Sequence, residues 1–271
     1  MPESPEVDAL AGFLRAELTG RTIREIEVEE FRAWKTRARP AEEMAGRTIT
    51  GVRRFGKHLA LDTSDAQGSG PSLLISFGRA GWARWNAEDL PEAPTIVRVH
   101  FDGDGRLALT DAGDWLSLGV SVTDDPTTEP SVAKLGPDPI LPSFTRATLD
   151  GIVGGRRKQL KALLQEQESL AGIGNAYSDE ILFVARLAPD VHASALDEEE
   201  RGRLFDAITG VLGEAFAARR DVPIAEQKAA KVAAMRVHGR TGEPCPECGG
   251  VVEDVPGSKG NAQWCPACQA G

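Results

Sequence analysis

The stretch AGIGNAYSDE, residues 171–180, joins two helical segments and decides how the second half of the chain is interpreted. Gly172 and Gly174 allow a tight backbone path, and the helix that opens at Asn175 presents N–H groups without partners inside the helix. A helix start of this kind binds anions, and phosphate is the obvious one. Asn175 can add its side-chain amide, and Lys161 in the preceding helix can add charge. The alternative is an ordinary glycine-rich connection in which Asn175 caps the helix.

The chain on either side of this stretch changes its periodicity. Glycines and prolines separate amphipathic stretches in the second half, which predict helices at 145–153, 158–167, 175–187, 196–218 and 223–235. The first half, from about residue 21 to residue 123, contains short β-like runs, such as 22–28, 73–77 and 95–101, with a DGDG hairpin signal at 102–105. Many strands separated by turn residues predict a β-sandwich or a barrel. The proline-rich segment 124–143 is interpreted as a linker between domains.

The first 18 residues predict a short lead and an amphipathic helix. Ser4 is a good N-cap and Pro5 suits the first helical position. Apolar residues then recur at helical spacing, at Val7, Leu10, Leu14 and Leu18, before Gly20. Pro2 and Glu3 are therefore expected just outside a helix N-terminus.

All four cysteines lie in the last 27 residues, as Cys245-x2-Cys248, sixteen intervening residues, and Cys265-x2-Cys268. Two such knuckles present four thiolates to one Zn²⁺ ion, which prefers a tetrahedral site. With every position filled by protein, the zinc would be structural and would contribute folding energy to a small module. The alternative is four unrelated thiols.

The composition is ordinary for a soluble globular protein, with 41% hydrophobic and 27% charged residues. No apolar run approaches the ~20 residues of a membrane span, and the N-terminus lacks a secretory signal pattern. We therefore expect no membrane association and a cytoplasmic location, associated with the nucleoid if the source is a bacterium.

The net charge of −10 argues mildly against a nucleic-acid partner, because DNA-binding domains usually have a high pI. The positive residues nevertheless cluster at 32–39, 53–57, 156–161 and 228–240. Each cluster lies beside one of the motifs, which favours a functional interpretation over solvated surface charge.

Three motifs then coincide in order and spacing: PESPEV at 2–7, GIGNAYSDE at 172–180 and the four-cysteine module. Together they resemble the formamidopyrimidine-DNA glycosylase / endonuclease VIII family. The segments GKHL at 56–59, LGP at 135–137 and VHGR at 237–240 are similar to that family too, so the resemblance spans nearly the whole chain.

The resemblance implies a multidomain α+β fold with DNA in the cleft between the domains. Its expected parts are an N-terminal helix with a β-sandwich (1–123), the linker (124–143), a helix–two-turns–helix domain (144–236) and a zinc finger (237–271). It further implies that Pro2 is the nucleophile, Glu3 the general acid and Lys57 an essential phosphate-binding lysine. Asn175 and Lys161 match positions that hold phosphates beside the extruded nucleotide, and Tyr177 of the same motif is predicted to bind DNA with them.

These residue types suit the excision of a base with strand cleavage. A free α-amine has a pKa near 8, against about 10.4 for lysine, so far more of it is unprotonated at neutral pH. The imine of a secondary amine such as Pro2 is necessarily a cationic iminium, an electron sink that permits β-elimination. Glu3 can protonate the sugar ring oxygen if it is buried. Each residue has a simpler alternative: a stiff lead-in for Pro2, a dipole-complementing carboxylate for Glu3 and a solvated lysine for Lys57. Glu6 is either a second acid or a helix cap.

The chain departs from the family pattern at positions that contact the DNA bases. Arg79 stands where the family has an intercalating methionine, and Trp115 is the remaining wedge in a segment that lacks the arginine reading the opposite base. The histidine common before the methionine loop is Ser76. In the zinc hairpin Gly260 replaces a phosphate-gripping arginine, and the adjacent Lys259 restores charge without a bidentate grip.

The leading hypothesis is a monomeric base-excision repair enzyme that acts on oxidised bases and abasic sites in double-stranded DNA, with β- or β,δ-elimination. The first rival is a DNA-damage-binding protein that has kept the scaffold and lost efficient catalysis. The second is a zinc-ribbon protein with another partner, in which the N-terminal motif is accidental. The preferred lesion has no recognisable signal in the sequence.

Overall fold

A computed structural model describes residues 2–270 and shows an α+β chain that divides into two compact units. Unit 1 comprises the chain up to Lys134 together with Pro223–Ala225, and unit 2 comprises Leu135–Val222 and the chain from Glu226 onward. No described helix is both long and apolar enough to cross a membrane.

Unit 1 is a β-sandwich preceded by a helix, which confirms the sandwich alternative over the barrel. Its helices are α1 (Ser4–Leu18) and α2 (Pro130–Ala133). Its strands are β1 (Ile23–Val28), β2 (Thr48–Phe55), β3 (His58–Ser64), β4 (Ser72–Ser76), β5 (Gly81–Trp85), β6 (Thr95–Phe101), β7 (Arg106–Asp111) and β8 (Gly119–Thr123). They form two antiparallel four-stranded sheets, ordered β1-β6-β7-β5 and β2-β3-β4-β8.

The predicted hairpin at residues 102–105 is confirmed, because β6 and β7 pair around it and Phe101 N donates to Gly105 O at 2.8 Å. The inward residues of both sheets and of α1 form one apolar core; Leu14, Leu59 and Leu109 in it have no exposed surface. Burying each such side chain stabilises the fold by about 1.5–3 kcal/mol, which explains why alternation in the sequence predicted the strands well.

Helix α1 begins one residue earlier than the sequence suggested. Glu3, in extended conformation, occupies the N-cap position, and Ser4 is already helical. The prediction of Ser4 as N-cap was therefore wrong, because Glu6 reaches back to the N–H of Glu3 and makes the earlier start favourable. The hydroxyl of Ser4 is buried and has no hydrogen-bond partner among the described residues.

Unit 2 contains the predicted helical region and a small cysteine module. Its helices are α3 (Arg146–Val153), α4 (Leu160–Leu164), α5 (Asn175–Ala185), α6 (Glu198–Arg219), α7 (Gln227–Ala234) and α8 (Pro266–Gln269). Two short strands, β9 (Glu253–Asp254) and β10 (Gln263–Trp264), pair in the module. Helix α6 starts at a reciprocal capping box between Asp197 and Glu200, with bonds of 2.8 and 2.9 Å.

Two predicted helices are shorter than the periodicity indicated. The segment predicted at 158–167 is helical only over α4, since the N–H of Leu160 donates to Val191 O and that of Lys161 to Pro189 O. The segment predicted at 223–235 becomes helical only at Gln227. Its first residues pack with unit 1, where the Trp82 indole N–H donates to Ile224 O at 3.0 Å.

Candidate functional site

The start of α1 is a buried acidic site in unit 1. Glu3 is 1% exposed and Glu6 is 2% exposed, while Pro2 directly before them is half-buried. The N–H of Glu3 donates to Glu6 Oε2 at 3.0 Å, so the capping role is the one that the structure shows for Glu6. Pro2 thus lies beside two carboxyl groups at a helix N-terminus, and Glu3 has the burial that a general acid requires.

Lys57 lies in the two-residue turn between β2 and β3. Gly56 makes the turn possible because its φ of 54° is in the left-handed region, where a side chain would be strained. Arg54 ties this turn to α1, donating to Asp8 Oδ1 at 3.0 Å and to Gly56 O at 3.2 Å. The structure therefore brings the Lys57 turn to the helix that carries Glu3. Sequence reasoning gave Arg54 no role of its own, since a tie between distant segments leaves no local signal.

His58, next to Lys57, is held neutral. Burial, and second the positive charge of Lys57, lower the pKa of His58 to about 4. Its Nδ1 atom is buried and has no hydrogen-bond partner among the described residues. His58 therefore adds no positive charge beside Lys57 at neutral pH.

The two predicted wedge residues lie on neighbouring exposed loops of unit 1. Arg79 is exposed in the connection from β4 to β5, and Trp115, in the connection from β7 to β8, is 82% exposed. The N–H of Arg79 donates to Ser117 Oγ at 2.9 Å, which joins the loops. Ser76, in the position of the family's histidine, ends β4 and pairs with His58 across the sheet.

The turn before α5 in unit 2 is built by glutamines. Gln167 accepts from Gly172 N at 2.9 Å and donates to Ile173 O at 2.7 Å. Gly174 is the N-cap, so Asn175 is the first helical residue and the alternative in which Asn175 caps the helix was wrong. Gln165 donates to Asn175 Oδ1 at 2.9 Å, which leaves the amide NH2 group of Asn175 as the end that can donate outward.

Lys161 does not stand free at this helix start. Its Nζ atom pairs with Asp179 Oδ1 and also donates to Asn175 O at 3.2 Å and Ser178 Oγ at 3.1 Å. The predicted role of adding positive charge for an anion needs correction, because Asp179 neutralises the ammonium group and the side chain is only 13% exposed. Lys161 holds the first turn of α5 together.

Tyr177 also needs correction as a DNA contact. Its side chain is 2% exposed and belongs to the core of unit 2, where Lys231 Nζ lies 4.6 Å from the ring centroid. A ring buried in this way offers no face on which a base could stack. It supports α5 from inside.

The end of the same motif anchors the cysteine module to α5, which sequence reasoning missed. Glu180 accepts the N–H groups of Arg236, Val237 and His238 at 2.8, 2.9 and 3.0 Å. Asp179, fully buried, accepts from His238 Nδ1 at 2.7 Å and from the N–H of Gln263 at 3.2 Å. The sequence analysis gave these two acidic residues no role beyond the motif, because only the tertiary fold shows their partners.

The four cysteine sulfurs converge on one point. The ligand atoms of Cys245, Cys248, Cys265 and Cys268 all lie within 4.8 Å of one another. The Sγ atoms of Cys245 and Cys268 are 3.8 Å apart, and those of Cys248 and Cys265 are 3.6 Å apart. A tetrahedral ion with metal–sulfur bonds of about 2.3 Å has sulfur–sulfur edges of about 3.8 Å. The cluster therefore fits a metal ion with four thiolate ligands.

The hairpin of the cysteine module exposes Lys259 at its tip. Lys259 and Gly260 both have left-handed backbone, with φ of 54° and 76°. Gln263, close to Gly260 in the sequence, is 4% exposed and donates to Asp254 Oδ1 and Gly260 O. Lys259 and the exposed Asn261 are the groups that remain available for a ligand on this hairpin.

Several of the basic clusters are neutralised locally. Arg32 pairs with Glu30, Arg39 with Glu43 and Asp124, Arg53 with Asp62, and both Arg156 and Lys158 with Glu166. Lys158 and Ser169 hold the pKa of Glu166 at about 2. For these positions the surface-charge interpretation is the better one.

Comparison with known proteins now decides the family. The N-terminal domain model of formamidopyrimidine-DNA glycosylase matches residues 1–114, and the helix–two-turns–helix domain model of that enzyme matches residues 135–223. A formamidopyrimidine-DNA glycosylase of Heliobacterium modesticaldum is 33% identical over 99% of this chain and 100% of its own length. The chain belongs to the formamidopyrimidine-DNA glycosylase family.

Other members of the formamidopyrimidine-DNA glycosylase family agree in sequence and in fold. The enzyme of Cereibacter sphaeroides (strain ATCC 17029) is 34% identical over 99% of this chain and 100% of its own. The Lactococcus lactis enzyme, solved with DNA that contains a formamidopyrimidine lesion, has a TM-score of 0.84 at 26% identity, covering 99% of this chain and 100% of its own. The Thermus thermophilus protein has a TM-score of 0.82 at 30% identity and 99% coverage of both chains. The α+β fold with a sandwich, a helix–two-turns–helix domain and a four-cysteine module is thereby confirmed, and the rival of an unrelated zinc-ribbon protein is wrong.

Proposed function

We propose that this protein is a bifunctional DNA glycosylase/lyase that removes oxidised bases and cleaves the strand through an iminium on Pro2. The observation that carries the proposal is the start of α1, where Pro2 precedes the buried Glu3 and the Lys57 turn is tied to the same helix through Arg54. Lys231 is buried and Lys161 is held in an ion pair with Asp179, and an exposed lysine amine is mostly protonated at neutral pH. The amine exposed by removal of Met1 is therefore the better nucleophile.

The chemistry follows from these groups in sequence. The Pro2 nitrogen attacks the anomeric carbon of the sugar, the glycosidic bond breaks, and the base leaves with the bonding electrons. The proton that the Pro2 nitrogen loses after forming the new bond balances the one that the departing base takes up. Glu3 protonates the ring oxygen as the sugar opens, and the nitrogen lone pair then forms the iminium. The iminium acidifies the adjacent sugar proton, whose loss expels the 3′ phosphate by β-elimination. Lys57 supplies a positive charge for a phosphate next to the reacting sugar.

Double-stranded DNA with a damaged or missing base is the proposed substrate, and related proteins of the family have been solved with such DNA. In unit 2 the outward amide of Asn175 at the start of α5 and the exposed Lys259 offer donors to phosphates. In unit 1 Trp115 and Arg79 are exposed and can enter the space that an everted nucleotide leaves. We propose that one protein chain acts alone as a monomer in the cytoplasm.

Zinc is the proposed metal of the four-cysteine site. Cys245, Cys248, Cys265 and Cys268 would hold it, and with four thiolates no position remains for a reactive water. When bound, the ion would cross-link the two cysteine knuckles and would take no part in the reaction. The hairpin that carries Lys259 then depends on this site for its order.

A second candidate, a protein that binds DNA damage without efficient catalysis, is favoured by the altered base-contacting positions. Arg79 replaces the family's intercalating methionine, and Gly260 stands where a phosphate-gripping arginine is usual. These changes affect recognition and leave Pro2 and Glu3 in place. They argue for altered substrate preference more than for lost catalysis.

Trapping with borohydride separates the two candidates. The correctly processed protein is mixed with duplex DNA containing one abasic site, and borohydride reduces the iminium to a stable amine link. We expect a covalent adduct with the wild type. With Pro2→Gly we expect an adduct yield below about one hundredth of the wild-type yield. We expect the same low yield with a form that retains Met1, because there every side chain is intact and only the Pro2 nitrogen is blocked. Binding to the same DNA without any adduct from the processed protein would establish the second candidate.

A further inference from the structure

The two exposed loops that carry Arg79 and Trp115 share one hydroxyl group. Ser117 Oγ accepts the N–H of Arg79 at 2.9 Å and the N–H of Ala80 at 3.3 Å. The same hydroxyl donates its proton to Asp111 Oδ2 at 3.0 Å. The donor and both acceptor positions of Ser117 are therefore used. The bonds from Arg79 and Ala80 join the two loops, and the bond to Asp111 fixes Ser117 within its own loop.

Asp111 organises the second loop from its buried base. The side chain is 3% exposed; Oδ1 accepts from Gly113 N at 3.0 Å, and Oδ2 accepts from Ser117 N at 2.7 Å and Leu118 N at 2.9 Å. Burial on its own would raise the pKa of Asp111, but the N–H groups of Ser117, Leu118 and Gly113 outweigh it and hold the pKa below its usual value. Asp111 is thus a charged acceptor, and hydrogen bonds to a charged group are stronger than neutral ones.

The backbones of the two loops also leave no space between them. A Cβ atom on Gly78 would lie 2.3 Å from Ser117 O, and one on Gly113 would lie 3.1 Å from the Cβ of Ala80. The N–H of Ala112 donates to Ala80 O at 3.3 Å. Movement of one loop therefore requires movement of the other.

The exposed side chains of this rigid pair of loops do not pack into the core of unit 1. Trp115 is 82% exposed, more than any other large hydrophobic residue between residues 2 and 270, and Arg79 is exposed beside the shared hydroxyl. An exposed tryptophan on a loop that Asp111 and Ser117 fix through six hydrogen bonds is well prepared to stack against a base.

We propose that Asp111 and Ser117 are positioning residues that make the Arg79 loop and the Trp115 loop one element, which enters duplex DNA as a unit. The proposal rests on the proposed function, because it assigns the element to the opening of a damaged duplex. Asp111 and Ser117 do not touch the DNA. They act by fixing the positions of Arg79 and Trp115, so their loss has the same consequence as the loss of Trp115.

The test compares strand cleavage of one abasic-site oligonucleotide in duplex and in single-stranded form, under single-turnover conditions. Single-stranded DNA leaves no stacked gap to fill, so only the duplex reaction depends on the element. We expect Asp111→Asn, Ser117→Ala and Trp115→Ala each to slow duplex cleavage about tenfold and to change single-strand cleavage by less than about twofold. The double variant Asp111→Asn/Trp115→Ala should be no slower than the slower single variant, because both changes disable the same element.

Asp125→Asn is the matched control, since Asp125 also organises a turn by accepting from Thr127 N and Oγ1 but lies away from both loops. It should leave both cleavage rates unchanged. Equal slowing of both DNA forms by Asp111→Asn and Ser117→Ala would overturn the proposal and show a general loss of folding. Additive losses in the double variant would overturn it too, because they would show that Asp111 and Trp115 act independently. If Asp111→Asn does not fold, Ser117→Ala decides, since it keeps the backbone bonds of Asp111.

Failure of the proposed function gives a different result. If the wild type cleaves neither DNA form, the same variants are compared by the ratio of their affinities for abasic-site duplex and intact duplex. A ratio lowered about tenfold by Ser117→Ala and Trp115→Ala alike supports the positioning role without catalysis. An unchanged ratio contradicts it.

Discussion

At the scale of single residues, burial and partners decide what each titratable side chain can do. Glu3 and Glu6 are both buried at the start of α1, where they form a reciprocal capping box and the N–H of Glu3 donates to Glu6. Lys161 resembles a phosphate ligand in the sequence and is an internal ion-pair partner in the structure. His58 is held neutral beside Lys57. Sequence identifies such residues by type, but their roles depend on atoms that arrive from elsewhere in the chain.

His58 makes a prediction about stability against pH. The pKa of about 4 in the folded state lies below the ordinary value of 6.5, so the unfolded chain binds a proton first as the pH falls. Folding stability must therefore decrease from pH 6.5 towards pH 4, and this residue alone should cost about 2 kcal/mol between about pH 7 and about pH 4.5. Urea unfolding followed by tryptophan fluorescence measures it, since four of the five tryptophans lie in unit 1.

The variant His58→Gln should lack this part of the acid destabilisation, although it starts from a different stability at neutral pH. The exposed His192 offers the control His192→Gln, which should follow the wild type across the range. An identical pH slope for wild type and His58→Gln would contradict the assigned burial of His58.

At the scale of elements, helix α5 shows how far the sequence was informative. Its start at Asn175 and the two glycines before it were predicted from local turn chemistry, because helix starts depend on neighbouring residues. The hydrogen bonds by which α5 anchors the cysteine module were not predictable. Asp179 and Glu180 accept backbone N–H groups of Gln263 and Val237, more than fifty residues away, and Tyr177 faces the core. Local signals gave the position of the element, and tertiary contacts gave its function.

Because Glu180 of α5 anchors the cysteine module, replacing one of its carboxylate oxygens should strongly affect the stability of that module. In Glu180→Gln an NH2 group replaces one of the two acceptors for the N–H groups of Arg236, Val237 and His238. We expect a loss of about 2 kcal/mol in the stability of this region and roughly tenfold or greater acceleration of hydrogen exchange at these three amides. Exchange monitored by mass spectrometry measures it.

Glu199→Gln is a suitable control, because Glu199 is an exposed glutamate on α6. It should leave exchange at residues 236–238 unchanged. If Glu180→Gln leaves their exchange unchanged too, Glu180 does not anchor the module.

At the scale of the whole molecule, the sequence predicted the sandwich, the helical region and the four-cysteine module. Alternation, helical periodicity and cysteine spacing are repeated signals, and errors at single residues do not alter them. The departure at Arg79 and the remaining wedge at Trp115 were visible as well, but the hydroxyl that joins their loops was not, because Ser117 has no distinctive local pattern. What the sequence could not supply was the pairing between segments.

Removal of the metal should affect one part of the chain. We expect one zinc ion per chain by elemental analysis, and strong chelation or Cys248→Ala should expose the segment around residues 245–268 to proteases. Affinity for abasic-site duplex should fall at the same time, while the tryptophan-rich sandwich of unit 1 keeps its urea midpoint. A metal-free protein whose module resists proteolysis would contradict a structural zinc site.

The central claim is that the Pro2 nitrogen forms the bond to the sugar. The most direct measurement is mass spectrometry of the borohydride-trapped complex after digestion of protein and DNA. Our account predicts the mass of a reduced sugar remnant on the N-terminal peptide, with fragmentation placing it on Pro2 and with Met1 absent. A remnant on Lys57 or on any other lysine, with the Pro2 nitrogen unmodified, would contradict it.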